Sequence, residues 1–432
     1  MAHNVVAPTR RTGTVSPVAV HRSGHALDGV NFFVAAMQAG FGVFVTVYLV
    51  QNGWPVHAIG FALALSTMAS LVSQIPAGAL IDRLRDKRRA VQAGVTGVGV
   101  AALLLALRTD VPAVYVAQAL QGLASSLIAP GIAAISLAAV GHAAFGERIG
   151  RNARFASLSG VLTAGAMGLA GAYFEPVAIF WLTVVLTLPA LVLASTAGRE
   201  TATSGAANAG AIAEAEQKPP IPGWAGLRDL LLDRRLLIFA LCVMLFFVAN
   251  AAMPHGVVGR ATMHRPDLAT LIAAGTMLLP QAIVAAVSPW VGRKAERSGR
   301  RPLLLFGWGL VPVQGVLFAT LPGLYALAVG QVLNGFSSAV FGVMMPVVVA
   351  DLTRSAGRFN LTLGALGMAM SIGASVSTFL GGLTAAAFGG KAAFLGLAFA
   401  GLLGVLLLWI GLPETRPLPA RGETGTGLDA NL

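Results

Sequence analysis

The chain has 432 residues, of which 56% are hydrophobic before its 52 glycines are counted and only 11% are charged, with a mean hydropathy of +0.78. A soluble domain holds about 45–50% apolar residues with glycine included and about 25% charged, and its surface needs those charges, so the composition excludes a water-soluble fold and indicates an integral membrane protein. The net charge of +12 does not point to nucleic acid, because Lys and Arg fall in short clusters between apolar runs of about 20 residues, each enough to cross a hydrocarbon core.

In chain order the apolar runs lie near 29–51, 57–81, 90–107, 112–140, 154–174, 176–197, 236–258, 268–292, 302–321, 323–350, 359–388 and 391–412. Backbone polar groups in lipid must be satisfied within the segment, and these runs exceed barrel strands, so they are read as twelve transmembrane helices of an all-α bundle. Of the 29 basic residues, all but Arg108, Arg260, Arg265 and Lys391 fall on the side that carries both termini. That asymmetry predicts a multi-pass protein of the plasma (inner) membrane with both termini in the cytoplasm. Residues 1–28 are polar and contain no signal-peptide core, so they are expected as a cytoplasmic tail. Residues 29–197 form a first six-helix bundle, 198–235 a flexible cytoplasmic linker, 236–412 a second bundle and 413–432 a second tail. The single cysteine, Cys242, lies inside a run and reads as a small buried apolar residue, with no metal or redox role.

The two halves repeat. Phe32-Phe33-Val34-Ala35 recurs as Phe246-Phe247-Val248-Ala249, Gly78-x-x-x-Asp82-Arg83 as Gly292-x-x-x-Glu296-Arg297, and Gln118-x-x-Gln121-Gly122 as Gln331-x-x-Asn334-Gly335, all about 214 residues apart. Six is an even number of spans, so the copies are parallel repeats about an axis along the membrane normal, with substrate expected between them near the midplane.

The stretch Gly292-Arg-Lys-Ala-Glu296-Arg297-Ser-Gly299-Arg300-Arg301-Pro302 resembles the G-x-x-x-D/E-R-x-G-R-R loop of the major facilitator superfamily at every fixed position. Its copy after span 2 keeps Gly78, Asp82 and Arg83 but has Arg85 where the family has glycine. Pro413-Glu414-Thr415-Arg416 is similar to the sequence that closes the last helix of the family's sugar porters. The resemblance implies a twelve-helix fold and a cytoplasmic gate made by Gly78, Asp82, Arg83, Gly292, Glu296 and Arg297. Physically, the glycines let a neighbouring helix come close, and the carboxylates suit the positive N-terminus of a helix. The extra bases Arg88, Arg89, Arg300 and Arg301 are expected only to anchor the loops.

Strongly charged side chains are nearly absent from the spans, which makes the exceptions informative. Asp28, at the entrance of span 1, is either a solvated residue or a carrier of the coupling proton. His255, after Pro254, is the second proton candidate, because histidine titrates near neutral pH. Asp351 is expected to be a rim partner for Arg297 or Arg354. The resemblance places spans 1, 4, 7 and 10 around the cavity, which makes Gln38, Gln118, Gln121, Asn250, Gln331 and Asn334 candidate substrate ligands, with interhelical bonding as the competing role. Many proton-coupled members have arginine where this chain has Gln118, and the proline of the antiporter signature is missing from span 5.

The expected function is secondary transport of a small organic solute by alternating access, favouring proton-coupled efflux by a monomer without cofactor. Uptake of a sugar-like solute is the runner-up, and a sensor or scaffold on the same fold is a third reading. An enzyme is not expected: no ATP-binding loop, metal pair or nucleophile–base constellation is present in the sequence.

Overall fold

The computed structural model describes residues 17–416 apart from 42, 174, 176, 217–227, 229–231, 255, 258–268, 322 and 355. Among the described residues every regular element is a helix: α1 (Pro17–Ala39), α2 (Val43–Gln51), α3 (Val56–Arg83), α4 (Lys87–Leu107), α5 (Val111–Val140), α6 (Phe145–Tyr173), α7 (Ala178–Glu216), α8 (Arg234–Asn250), α9 (Ala269–Ser298), α10 (Arg301–Thr320), α11 (Leu324–Leu352) and α12 (Phe359–Gly411). Nine stretches among the described residues are long and apolar enough to cross a membrane, one of them being α1 with α2 and another the whole of α12. The latter is two spans run together at Gly389, whose φ of 85° suits glycine. With α6 and α8 this makes the twelve-span all-α fold.

These helices are apolar on nearly every side, so the inward faces bury while the outward faces are left for lipid. Trp308 and Phe318 are buried, whereas Tyr325 and Ile410 point outward. Among the described residues two large hydrophobic clusters result, one containing Leu27, Val95, Leu105 and Phe180, the other Phe239, Phe246, Trp308 and Phe341, with a small third at Ile81, Ala90 and Ala134. Ala133, Phe145 and Ile149, although from the first half, join the second cluster. They mark where the halves meet.

Local signals explain the helix ends. Asp86 caps α4 by accepting from the Arg88 N–H at 3.2 Å, and Asp233 caps α8 by accepting from Arg235 and Leu236 at 3.0 and 3.3 Å. Small residues bring helices together: a Cβ at Gly94 or Gly97 of α4 would meet Ala124 of α5 within 3 Å.

Three features depart from the expected spans. Helix α1 begins at Pro17, well before residue 29, and so contains Asp28. Helix α7 continues to Glu216, into the stretch expected as a linker. Spans 1 and 7 are both broken, between Ala39 and Val43 and after Asn250. In span 7 the cause is Pro254, whose ring would clash with the carbonyl four residues back, at Asn250, where α8 stops. The Ala252 N–H freed there donates to Ser377 Oγ of α12 at 3.0 Å. In span 1 the break follows Gly40, which lies directly on the Thr183 hydroxyl of α7.

Candidate functional site

The halves are fastened at the basic face by two contacts with the same design. Gly78 of α3 lies against the Asn360 carbonyl at the start of α12, so closely that a Cβ there would overlap it. One turn on, Asp82 accepts from the Asn360 N–H (3.0 Å), the Asn360 side-chain amide (2.8 Å) and the Leu361 N–H (2.8 Å). The two backbone donors are free groups of a helix N-terminus, where a carboxylate also meets the positive end of the helix dipole. In the second contact Gly292 of α9 lies against the Gly146 carbonyl at the start of α6, and Glu296 accepts from the Glu147 N–H at 3.0 Å. Glu147 and Leu361 are 214 positions apart, as are Asp82 and Glu296, so the two caps are related by the internal repeat. Between them the Phe145 and Phe359 rings meet edge to face at 5.9 Å.

Arg83 and Arg297 of the same motif are exposed. The cations that close the preceding helices are others: Lys87 donates to the Ile81 carbonyl at 2.7 Å and Arg300 to the equivalent Ala295 carbonyl at 2.7 Å. Arg300 is buried and pairs with Asp351 at 3.0 Å. This corrects two expectations, since Arg300 is no loop anchor and Asp351 pairs with it and not with Arg297 or Arg354. Sequence inspection misses the pair because the two residues are brought together only by the packing of α10 on α11.

Glu414 completes this rim, accepting from the Arg300 and Arg301 N–H groups at 2.8 and 3.1 Å at the start of α10. Burial opposes its ionisation, but the backbone donors of Arg300, Arg416, Arg301 and Thr415 outweigh burial and hold its carboxyl below the usual glutamate range. A depressed carboxyl stabilises the fold above its unfolded pKa of about 4.3 and stops doing so as pH falls through the folded value. Glu414→Gln should therefore lower thermal stability by about 0.5–1 kcal/mol at pH 7, the low end for a cap because the carboxyl is exposed, and the difference should shrink on acidification. A melting series on both proteins from pH 7 down to about pH 3, through the range below the unfolded pKa where the carboxylate is lost, checks this.

Asp28 is buried, with one carboxylate oxygen on Arg148 and the other on Arg151, both of α6. Arg148 also donates to Asn152 (2.9 Å) and to the Gly24 carbonyl (3.0 Å), and Asn152 donates to Ser136 of α5 (2.8 Å). Of the two positions left open by the sequence, solvated entrance or buried carboxyl, the structure has the second. The sequence reading missed Arg148, Arg151 and Asn152 because it began span 5 at residue 154. The acid Glu147 in the first turn of α6 was the signal that the helix starts earlier. His255 lies outside the described residues.

Among the cavity amides, Gln38 is half-buried, and Gln118 and Gln331 are buried. Asn250 donates to Asn334 at 3.2 Å, joining α8 to α11. Gln121 accepts from Ser66 of α3 at 2.6 Å and donates to Ser125 at 3.0 Å. Both amide atoms of Gln331 and the Nε2 of Gln118 have no hydrogen-bond partner among the described residues. The Asn250 Oδ1 is likewise without a partner among the described residues, as are both amide atoms of Gln314 on α10. Buried amides without partners are costly, so the repeat-related Gln118 and Gln331, with Asn250, have capacity for a polar ligand.

The Major Facilitator Superfamily profile matches residues 27–311 and 236–430, nearly the whole chain. The chain belongs to that superfamily. An uncharacterized MFS-type transporter of Mycobacterium tuberculosis is 34% identical over 405 residues, covering 94% of this chain and 96% of the relative. A tetracycline resistance protein, class B, of Escherichia coli is 26% identical over 156 residues, 36% of this chain and 38% of that protein. Among solved structures, the MFS transporter FucP in its outward conformation superposes with a TM-score of 0.69 at 13% identity, over 91% of this chain and all of that one. As a member of the superfamily the protein is a multi-pass membrane transporter that binds a small molecule within the membrane.

Proposed function

We propose that the protein exports a small, neutral or weakly polar organic solute from the cytoplasm in exchange for protons. Residues 29–197 and 236–412 act as the two rocking bundles of a monomer in the plasma membrane, with the basic face and both termini cytoplasmic. The observation that carries the reading is the pair of repeat-related caps, Asp82 on α12 and Glu296 on α6. They make three hydrogen bonds and one, respectively, on their helix ends, strong enough to hold a closed cytoplasmic side and weak enough to break in a transport cycle. Efflux is favoured by the tetracycline resistance relative and by a multidrug resistance protein B homolog of Mycobacterium tuberculosis, 30% identical over 159 residues, 36% of this chain and 29% of that protein. The proton site is Asp28: both oxygens are occupied by guanidinium groups, so a proton reaches it only when α1 and α6 move apart. Substrate binds at Gln118 and Gln331, with Gln38, Gln121, Asn250 and Asn334 around them.

Everted membrane vesicles test this directly. With an acidified lumen they should accumulate members of a panel of tetracyclines and lipophilic dyes, and a protonophore should abolish the accumulation; loss of transport for the whole panel, or accumulation indifferent to the protonophore, overturns proton-coupled efflux. In the same vesicles Gln118→Ala or Gln331→Ala should raise the half-saturating concentration about 5- to 150-fold, the equivalent of about 1–3 kcal/mol for a lost buried hydrogen bond. Unchanged half-saturation for both would assign these amides to interhelical packing.

A further inference from the structure

On the outer side of the α6–α9 seam lies a cavity of about 390 Å³ lined by Arg151, Arg154, Phe155, Leu158 and Glu147 of α6 and by Pro289 and Arg293 of α9. Arg151 is paired with Asp28, which leaves Arg154 and Arg293 against the Glu147 carboxylate, so the cavity is cationic. Its position on α6 follows from helical geometry. Gly146 and Gly150 face α9, Arg148 and Asn152 face α1 and α5, and Ile149 faces the second half. The remaining direction, shared by Glu147, Arg154, Leu158 and Leu162, points away from the neighbouring helices, with Arg151 at its edge reaching across to Asp28 of α1, and Leu158 and Leu162 are exposed there. The groove thus begins at arginines near the basic rim and continues into the membrane as leucine.

The repeat supplies an internal control. At the α3–α12 seam, which carries the other cap, the positions equivalent to Arg151, Arg154 and Arg293 are Ala365, Met368 and Ala79. That seam closes with the same glycine contact and the same carboxylate cap without any of these cations. None of the three arginines is therefore required by the gate; Arg151 is accounted for by Asp28, and Arg154 and Arg293, beside a membrane-facing apolar stripe, need another reason.

We infer that this groove binds the phosphate headgroup of an anionic phospholipid, with an acyl chain along Phe155, Leu158 and Leu162. Basic pockets between helices on the charged side of a membrane suit such headgroups, and long arginines can reach them from inside the hydrocarbon edge. Arg154 belongs to the first half and Arg293 to the second, so a single bound lipid bridges the two and favours the conformation in which Glu296 caps α6. The proposal needs only the membrane-spanning fold and is independent of substrate and coupling ion.

The test is thermal stability of the purified full-length protein in detergent, titrated with phosphatidylglycerol, with phosphatidylcholine or with inorganic phosphate. Phosphatidylglycerol should raise the melting temperature beyond the other two. The variant Arg154→Met with Arg293→Ala, which copies the residues of the other seam, should lose at least half of that increment, while Arg85→Gln with Arg354→Gln, two exposed basic-face arginines outside the groove, should keep it. Equal increments in both double variants would overturn the site, and an equal rise with inorganic phosphate would overturn the lipid. If the first double variant does not fold, Arg293→Ala alone is read the same way, by the number of phosphatidylglycerol molecules retained in native mass spectrometry: one fewer supports the groove, and no change refutes it.

Discussion

Asp28→Ala is expected to destabilise the protein by about 3–5 kcal/mol, the cost of leaving a buried cation uncompensated. Asp28 and Arg148 are both buried, and Arg148 is fixed on its other sides by Gly24 and Asn152. It cannot turn toward water when its carboxylate partner is removed, whereas Arg151, which is partly exposed, can. Replacing the pair together, as Asp28→Leu with Arg148→Met, should recover most of the loss, because a well-packed apolar pair often matches a buried ion pair in stability. Melting temperatures of Asp28→Leu, Arg148→Met and the double variant give the coupling; additive losses would show that the ion pair does not bind α1 to α6. Asp28→Asn keeps the shape and separates the second role: counterflow of substrate should persist while accumulation driven by a pH gradient is lost. Retained gradient-driven accumulation would remove Asp28 from proton coupling.

Valine at Gly78 or Gly292 should hold the basic face open and lower transport by about fivefold or more without preventing insertion. The first atom of any side chain at either position overlaps a backbone carbonyl of the opposite half, Asn360 or Gly146. Backbone at a helix start cannot yield as a flexible side chain would. Overpacking of about 1–3 kcal/mol acts on the closed state alone, which shifts the conformational equilibrium by about 5- to 150-fold. A cysteine introduced at Ala133, buried where the halves meet, reports the shift: its reaction with a water-soluble thiol reagent from the basic face should accelerate in both valine variants. Unchanged labelling together with unchanged transport would show that the glycine contacts do not control access.

The location of the glycine–carboxylate motifs was legible because a repeated spacing survives divergence elsewhere, but their partners were not. Asp82 and Glu296 bind backbone N–H groups of α12 and α6, and a backbone donor leaves no mark in residue identity. Asp28 was visible as an unusual acid, yet whether it faced water or the interior depended on α1 starting at Pro17 and on where α6 lies beside it. Likewise Arg300 looked like one more loop base until the packing of α10 on α11 set Asp351 against it.

By itself the sequence determined the solvent this protein lives in, its number of spans and the order of its repeat, because apolarity over about 20 residues and the placement of lysine and arginine are one-dimensional properties that the membrane reads directly. Only the tertiary structure decided which polar groups meet, which of the two seams carries the arginine groove and where spans 1 and 7 break. A buried charge or amide takes its meaning from neighbours distant in sequence, and in a medium of low dielectric those neighbours decide whether it holds the fold together, opens it or binds something else.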